Sequence, residues 1–242
     1  MVTSQWAAND GLRLHYLVAQ ADGSGVPLVF LPGGLGSADD YWQDLPEFAP
    51  RPVLAMSLRG QGQSDAPERG YALDDYVADV SAVLQASGVK RPCLMAYSMA
   101  VPTAIAFAAR HPEALAGLIL GDYPAQAFRL PPEWVERAVV TLARLSDRHV
   151  MEAMQRESAD VDLWDQLPRI TCPVLVLRGR QPGARLSAAD AGRYQTLLPR
   201  ARILTFPNAA HALWEPDPAP FFTALKTFLA QLDSARRVKR GA

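Results

Sequence analysis

The chain has 242 residues, of which 49% are hydrophobic and 20% charged, enough apolar content for one large core and too much for wholesale disorder. A formal net charge of -1, with no basic stripe carrying interleaved aromatics, leaves no electrostatic case for nucleic acid. No stretch approaches the roughly 18 uninterrupted apolar residues of a membrane span, and the N-terminal residues lack a signal-peptide layout, so a soluble cytoplasmic protein without membrane contact is expected.

Along the chain, Asn9-Asp10-Gly11 signals a hairpin turn between Gln5–Ala8 and Leu12–Val18, whose apolar residues alternate as in a strand. Val26–Leu31 reads as a buried strand ending in Pro32-Gly33-Gly34-Leu35-Gly36-Ser37, with a helix expected from Ala38 to Phe48. The strand Val53–Ser57 leads into Arg59-Gly60-Gln61-Gly62-Gln63-Ser64-Asp65, and Leu73–Ala86 has helical spacing. A further strand, Pro92–Tyr97, meets an alanine-rich helix at Ser98, and Leu115–Gly121 is another strand. Pro173–Leu177, Ser187–Leu198, Arg202–Phe206 and Pro218–Leu232 continue the alternation. Strands alternating with helices imply a parallel sheet covered on both faces.

Residues 123–169 break this rhythm: helical patches around Pro132–Leu145 and Arg148–Glu157 are expected, but no strand. An inserted helical cap over the C-terminal edge of the sheet is the favoured reading, with a long crossover as the alternative. The expected organisation is a core of residues 1–122 and 170–232, a cap of residues 123–169, and a disordered basic tail of residues 233–242. Cys93 and Cys172 are expected to be buried free thiols of a reducing compartment, a disulfide between them being the alternative.

Two positions carry chemistry. A strand turning sharply into a helix at Ser98 lifts its hydroxyl clear of the sheet, as in a nucleophile elbow; the alternative is a plain helix cap. His211, in Asn208-Ala209-Ala210-His211 after the last strand, is the candidate general base. His15, His111 and His149 follow no late strand. No cluster has metal-ligand spacing, since His211 and Glu215 lack a third partner. The glycines at 33, 34 and 36 fit neither a dinucleotide fingerprint nor a P-loop, so no nucleotide site or other cofactor is expected.

From the hairpin to Leu232 the chain resembles the α/β-hydrolase fold family, through Leu31-Pro32-Gly33-Gly34-Leu35-Gly36-Ser37, Ser57-Leu58-Arg59-Gly60-Gln61-Gly62-Gln63-Ser64-Asp65, the Ser98 elbow and Asn208-Ala209-Ala210-His211. The elbow departs from the family's Gly-x-Ser-x-Gly in having Ala96 and Ala100. The resemblance implies a mostly parallel sheet with helices on both faces, a Ser98 nucleophile, a His211 base and an oxyanion hole from the amides of Gly34 and Met99. It places a triad acid in the loop after Pro173–Gly179, which holds no carboxylate; Asp122, at an earlier strand end, is the first candidate, Asp190 the second, and no acid the third. Asp190 also fits a capping box begun by Ser187, and Arg59 and Asp65 are expected to brace their turn.

Leu35, Trp42, Phe128, Trp134 and Trp214 are candidates to line an apolar substrate pocket, core packing being the alternative for each. The reading that follows is a serine hydrolase of small carboxylic esters or lactones, working as monomer or homodimer on a small-molecule substrate. Its rivals are a C–C bond hydrolase, a perhydrolase-like enzyme or a cofactor-free lyase on the same site, and a non-catalytic binding protein.

Overall fold

A computed structural model describes residues 1–19, 23, 25–34, 36–142 and 148–241. The strands are β1 (Val2–Asn9), β2 (Leu12–Ala19), β3 (Leu28–Leu31), β4 (Val53–Met56), β5 (Cys93–Tyr97), β6 (Gly117–Gly121), β7 (Gln126–Ala127), β8 (Val161–Asp162), β9 (Val174–Gly179) and β10 (Arg202–Phe206). The helices are α1 (Leu73–Ser87), α2 (Val101–Arg110), α3 (Pro132–Leu142), α4 (Arg148–Glu157), α5 (Ala188–Leu197) and α6 (Ala219–Gly241).

One eight-stranded sheet runs in the order β1-β2-β4-β3-β5-β6-β9-β10. From β4 to β10 every neighbouring pair is parallel, while β1 and β2 form an antiparallel hairpin on the β4 edge. Parallel strands need covered faces, and the side-chain alternation provides two apolar layers. Val29, Leu31, Leu94 and Ala96 point into the layer shared with α1, α2 and α5. Leu28, Phe30, Cys93 and Met95 point into the layer packed on α6. Strands β3, β5 and β9 begin directly after Pro27, Pro92 and, within one residue of Cys172, Pro173, because proline has no N–H for the ladder. Both cysteines are free; Cys93 is buried and Cys172 partly so, one residue short of Pro173.

Three expectations are corrected. In place of one helix from Ala38 to Phe48 there are two single turns of 3₁₀ helix, Ala38–Tyr41 and Leu45–Phe48. Pro46 lacks the amide that a continuous helix would need at that position. The 123–169 segment does contain strands: β7 and β8 pair antiparallel, but at two residues each they are too short to leave a periodic trace. The basic tail is not disordered, since α6 continues through residues 233–241. Asp233 anchors it, pairing with Arg51 at 2.5 Å and accepting the Val26 amide at 2.6 Å, while Arg236 donates to the Gly25 carbonyl at 3.1 Å.

In α6, Phe221, Leu225, Phe228, Leu229 and Leu232 form the buried stripe that clamps the helix to the sheet. Burial of each such side chain contributes roughly 1.5–3 kcal/mol. Within residues 123–169, Leu130, Val135, Ala138, Val150, Met151 and Met154 form a separate small apolar cluster with Tyr71. Glu157 ties this segment to the sheet domain by accepting the amides of Gly70 and Tyr71, both at 2.8 Å.

Candidate active site

Ser98 sits between β5 and α2 in a 3₁₀ turn, Ser98–Ala100, with a φ of 55°. A left-handed backbone costs a side-chain-bearing residue about 1–2 kcal/mol, and strain of this kind gathers at functional turns. Ala96 and Ala100 flank the turn and are both buried in the core layer, so methyl groups are accommodated where glycines are usual.

His211 lies on the turn after β10. Its Nε2 is 2.8 Å from Ser98 Oγ, and its Nδ1 is 2.8 Å from Asp122 Oδ2. Asp122 follows β6, has no exposed surface and takes a φ of 47°. Its carboxylate also accepts three amides: Gly179 at 3.1 Å and Leu186 at 3.3 Å on Oδ1, and Arg185 at 2.8 Å on Oδ2. The loop after β9 holds no acid of its own; it presents amides to a carboxylate supplied by the neighbouring strand. Asp190, by contrast, caps α5 through Ser187, its amide donating to Ser187 Oγ at 3.0 Å.

The His211 turn is held from two sides. Arg180 and Gln181 amides both donate to Ala209 O at 2.9 Å. Gly179 lies so close that a Cβ there would fall 2.0 Å from Ala210 O, which only glycine avoids. Tyr97 donates its hydroxyl to His211 O at 2.9 Å and stacks on the imidazole at 4.9 Å. Burial, aided by Asp122 and Glu215 and opposed by Arg185, raises the Tyr97 phenol well above its ordinary value, so it stays a donor.

The Gly33–Gly36 turn rests on the elbow: a Cβ on Gly33 would meet Ser98 Cβ at 3.2 Å, and one on Gly34 would meet Met99 Sδ at 2.7 Å. Met99 occupies the first turn of its helix, where amides have no intrahelical partner. A hydroxyl bonded to an imidazole that is oriented by a buried carboxylate, at the first turn of a helix, has the parts needed for nucleophilic attack on a carbonyl.

Ser98 and His211 open onto a cavity of about 920 Å³. Phe128, Trp134 and Trp214 line it, together with Phe30, Tyr41 and Phe221. Trp42, at the end of the Ala38–Tyr41 turn, is 47% exposed and not among the lining residues, which corrects its assignment to the pocket. Leu35 lies outside the described residues. Arg129, Arg137 and Arg185, and Asp40 and Asp44, also border the cavity.

Arg59 braces its turn as expected, but through a partner in α1: its guanidinium grips buried Asp79 at 2.6 and 2.8 Å. Asp65 accepts the Arg13 amide at 2.8 Å. Nothing local in the sequence marks Gln61, Tyr97 or Gly179 for the site, because the contacts that tie them to it, with Gly33, His211 and Asp122, reach 28 residues or more along the chain. Among the described residues no group of three or more His, Cys, Asp or Glu could hold a metal ion, and no helix is long and apolar enough to cross a membrane.

Comparison with known proteins places these features in context. A family model described as alpha/beta hydrolase fold matches residues 26–159. The chain is 33% identical over 120 residues to epoxide hydrolase 4 of Mus musculus, a match covering 48% of this chain and only 33% of that protein. It is 22% identical over 217 residues to 2-(acetamidomethylene)succinate hydrolase of Mesorhizobium japonicum, covering 73% of this chain and 78% of the relative. Among solved structures, an esterase from Rhodococcus sp. ECU1013 superimposes with a TM-score of 0.78 at 24% identity, over 96% of this chain and 99% of that one, a likeness of fold. With its family model spanning more than half the residues, the chain belongs to the alpha/beta hydrolase fold family.

Proposed function

We propose that this hydrolase cleaves small carboxylic esters or lactones through an acyl-enzyme on Ser98. The reading is carried by one observation, the unbroken line of 2.8 Å contacts from Ser98 Oγ through the His211 ring to Asp122. Asp122 Oδ2 accepts from Nδ1–H, which leaves Nε2 free of a proton and able to accept one from the serine. Ser98 Oγ attacks the carbonyl carbon while its proton passes to His211 Nε2. The tetrahedral oxyanion is held by the Gly34 and Met99 amides. Collapse expels the alcohol oxygen, which takes the proton from Nε2. Water then gives a proton to His211 Nε2 as its oxygen attacks the acyl carbon; collapse breaks the bond to Ser98 Oγ, which takes that proton back from Nε2, and the acid is released.

The 123–169 segment is assigned the role of a cap, because Phe128, Leu130 and Trp134 from it line the cavity. The cavity volume of about 920 Å³ suits small to medium substrates. A cytoplasmic setting agrees with both cysteines being free. The family includes proteins named for epoxide and other bonds, so ester cleavage is the part of this reading to test first. A fluorophosphonate probe is expected to label the wild-type protein at neutral pH and to leave Ser98→Ala unlabelled, with hydrolysis of 4-nitrophenyl acetate lost in the same variant. An unlabelled wild-type protein ends the proposal. Labelling without turnover of any short ester shifts the assignment to other chemistry at Ser98.

A further inference from the structure

The Gly33–Gly34 peptide is gripped at its carbonyl by a buried side chain. Gln61, only 5% exposed, donates from Nε2 to Gly33 O at 3.0 Å and accepts the Leu58 amide on Oε1 at 3.0 Å. The two bonds fix which end of the side-chain amide is which, since only the NH₂ can donate to a carbonyl and only the oxygen can accept from an N–H. Gly33 O also accepts the Gly36 amide at 3.0 Å, closing the turn.

Gly33 C=O and Gly34 N–H belong to one planar trans peptide, so the carbonyl oxygen and the amide hydrogen point to opposite sides of it. Whatever holds the carbonyl toward the interior therefore holds the Gly34 N–H toward the cavity that Gly34 lines. We propose that Gln61 is a positioning residue for the oxyanion hole: it aims the Gly34 amide at the developing oxyanion by clamping the other end of the same peptide. Gln61 never meets the substrate in this arrangement. This inference rests on the serine-hydrolase reading and goes beyond it, assigning a function to a turn that sequence reading treats as a brace.

The clamp matters because a preorganised donor need not reorient as charge develops. Without Gln61 the peptide retains the Gly36 bond but can rock about it. Removing an oxyanion-hole donor outright costs about 10²–10³ in kcat. Loosening one leaves part of that effect, an expected loss of about 10- to 100-fold.

The test compares wild type, Gln61→Met and Gln61→Glu on a short 4-nitrophenyl ester, together with the inhibition constant of an aryl trifluoromethyl ketone, whose serine adduct carries an oxyanion. In Gln61→Met, kcat/KM is expected to fall about 10- to 100-fold through kcat, and inhibitor affinity is expected to fall in parallel. A merely structural role would lower the fraction of active enzyme and leave the inhibition constant unchanged. In Gln61→Glu an ionised carboxylate faces Gly33 O, whereas a protonated carboxyl can donate to it, so the deficit relative to wild type should shrink as pH falls. Should Gln61→Met fail to fold, this pH dependence decides the matter. Inhibitor affinity equal to wild type in a folded Gln61→Met, or a Gln61→Glu deficit independent of pH, overturns the inference. Wild type that neither reacts with the fluorophosphonate nor binds the ketone removes the serine-hydrolase reading beneath it, a distinct result.

Discussion

Replacing Asp122 with asparagine sets two roles of one carboxylate against each other. Oδ1 accepts the Gly179 and Leu186 amides, and Oδ2 accepts the Arg185 amide and His211 Nδ1–H. An asparagine has one acceptor end. If its oxygen takes the Oδ2 place, its NH₂ confronts two backbone donors, and two hydrogen bonds of a fully buried group are lost. If its oxygen takes the Oδ1 place, its NH₂ confronts the Arg185 amide and donates to Nδ1, which puts the imidazole proton on Nε2, where it blocks acceptance from Ser98.

The corresponding substitution in serine proteases costs about 10⁴ in kcat, or roughly 5.4 kcal/mol at 1.36 kcal/mol per tenfold. A comparable loss is expected for Asp122→Asn, with stability lowered by about 1–3 kcal/mol for the donors left unsatisfied. The assays are steady-state kinetics on a short 4-nitrophenyl ester and thermal unfolding, where 1 kcal/mol moves Tm by roughly 2–4 °C at this size. A folded variant losing less than tenfold in kcat refutes the assignment of Asp122 as the orienting acid.

Other outcomes follow from particular contacts. Ser98→Gly should be more stable than Ser98→Ala by about 1 kcal/mol in thermal unfolding, because only glycine takes the left-handed backbone without penalty; equal stabilities would argue against strain at the elbow. Gly179→Ala must displace the Ala209–His211 turn, and a misplacement near 1 Å can cost about 10²-fold, so kcat/KM should drop by that order while a wild-type value would contradict the close approach. Glu157 is pulled up by burial, but the amides of Tyr71 and Gly70 and the neighbouring Arg156 more than offset this and hold its carboxyl below the ordinary range. A depressed carboxyl stabilises above its unfolded value, about 4.3, and loses that contribution as pH falls through its lower folded value. The difference in Tm between wild type and Glu157→Gln should therefore be largest near neutrality and shrink below about pH 4; a difference independent of pH would rule out the ionised contact.

The fold, and the two residues that it brings into contact at the candidate site, are legible in the sequence because both leave local marks. The apolar runs of β3, β5 and β6 and the helical spacing of α1 are periodic within a few residues. Ser98 and His211 each follow a strand, where the family resemblance places such groups. Asp122 is legible as the first candidate from its position at a strand end, with Asp190 second as a helix cap; the convergence of the residue 179–186 amides on Asp122 is a long-range feature that no local pattern carries.

What stayed hidden depends on partners distant in the chain. Asp233 orders the end of α6 through Arg51, 182 residues away. Gln61 meets Gly33 across 28 residues, and Tyr97 meets His211 across 114. The exposure of Trp42 depends on how two 3₁₀ turns are oriented, which neither hydropathy nor spacing encodes.

The central claim is that Ser98 becomes covalently acylated during turnover. Rapid quenching of the protein with 4-nitrophenyl acetate, followed by intact-mass and peptide-level mass spectrometry, tests it most directly. An acetyl adduct on the peptide containing Ser98, formed within one turnover and absent from Ser98→Ala, is the predicted result. Turnover that proceeds with no adduct on Ser98, or undiminished in Ser98→Ala, would contradict it.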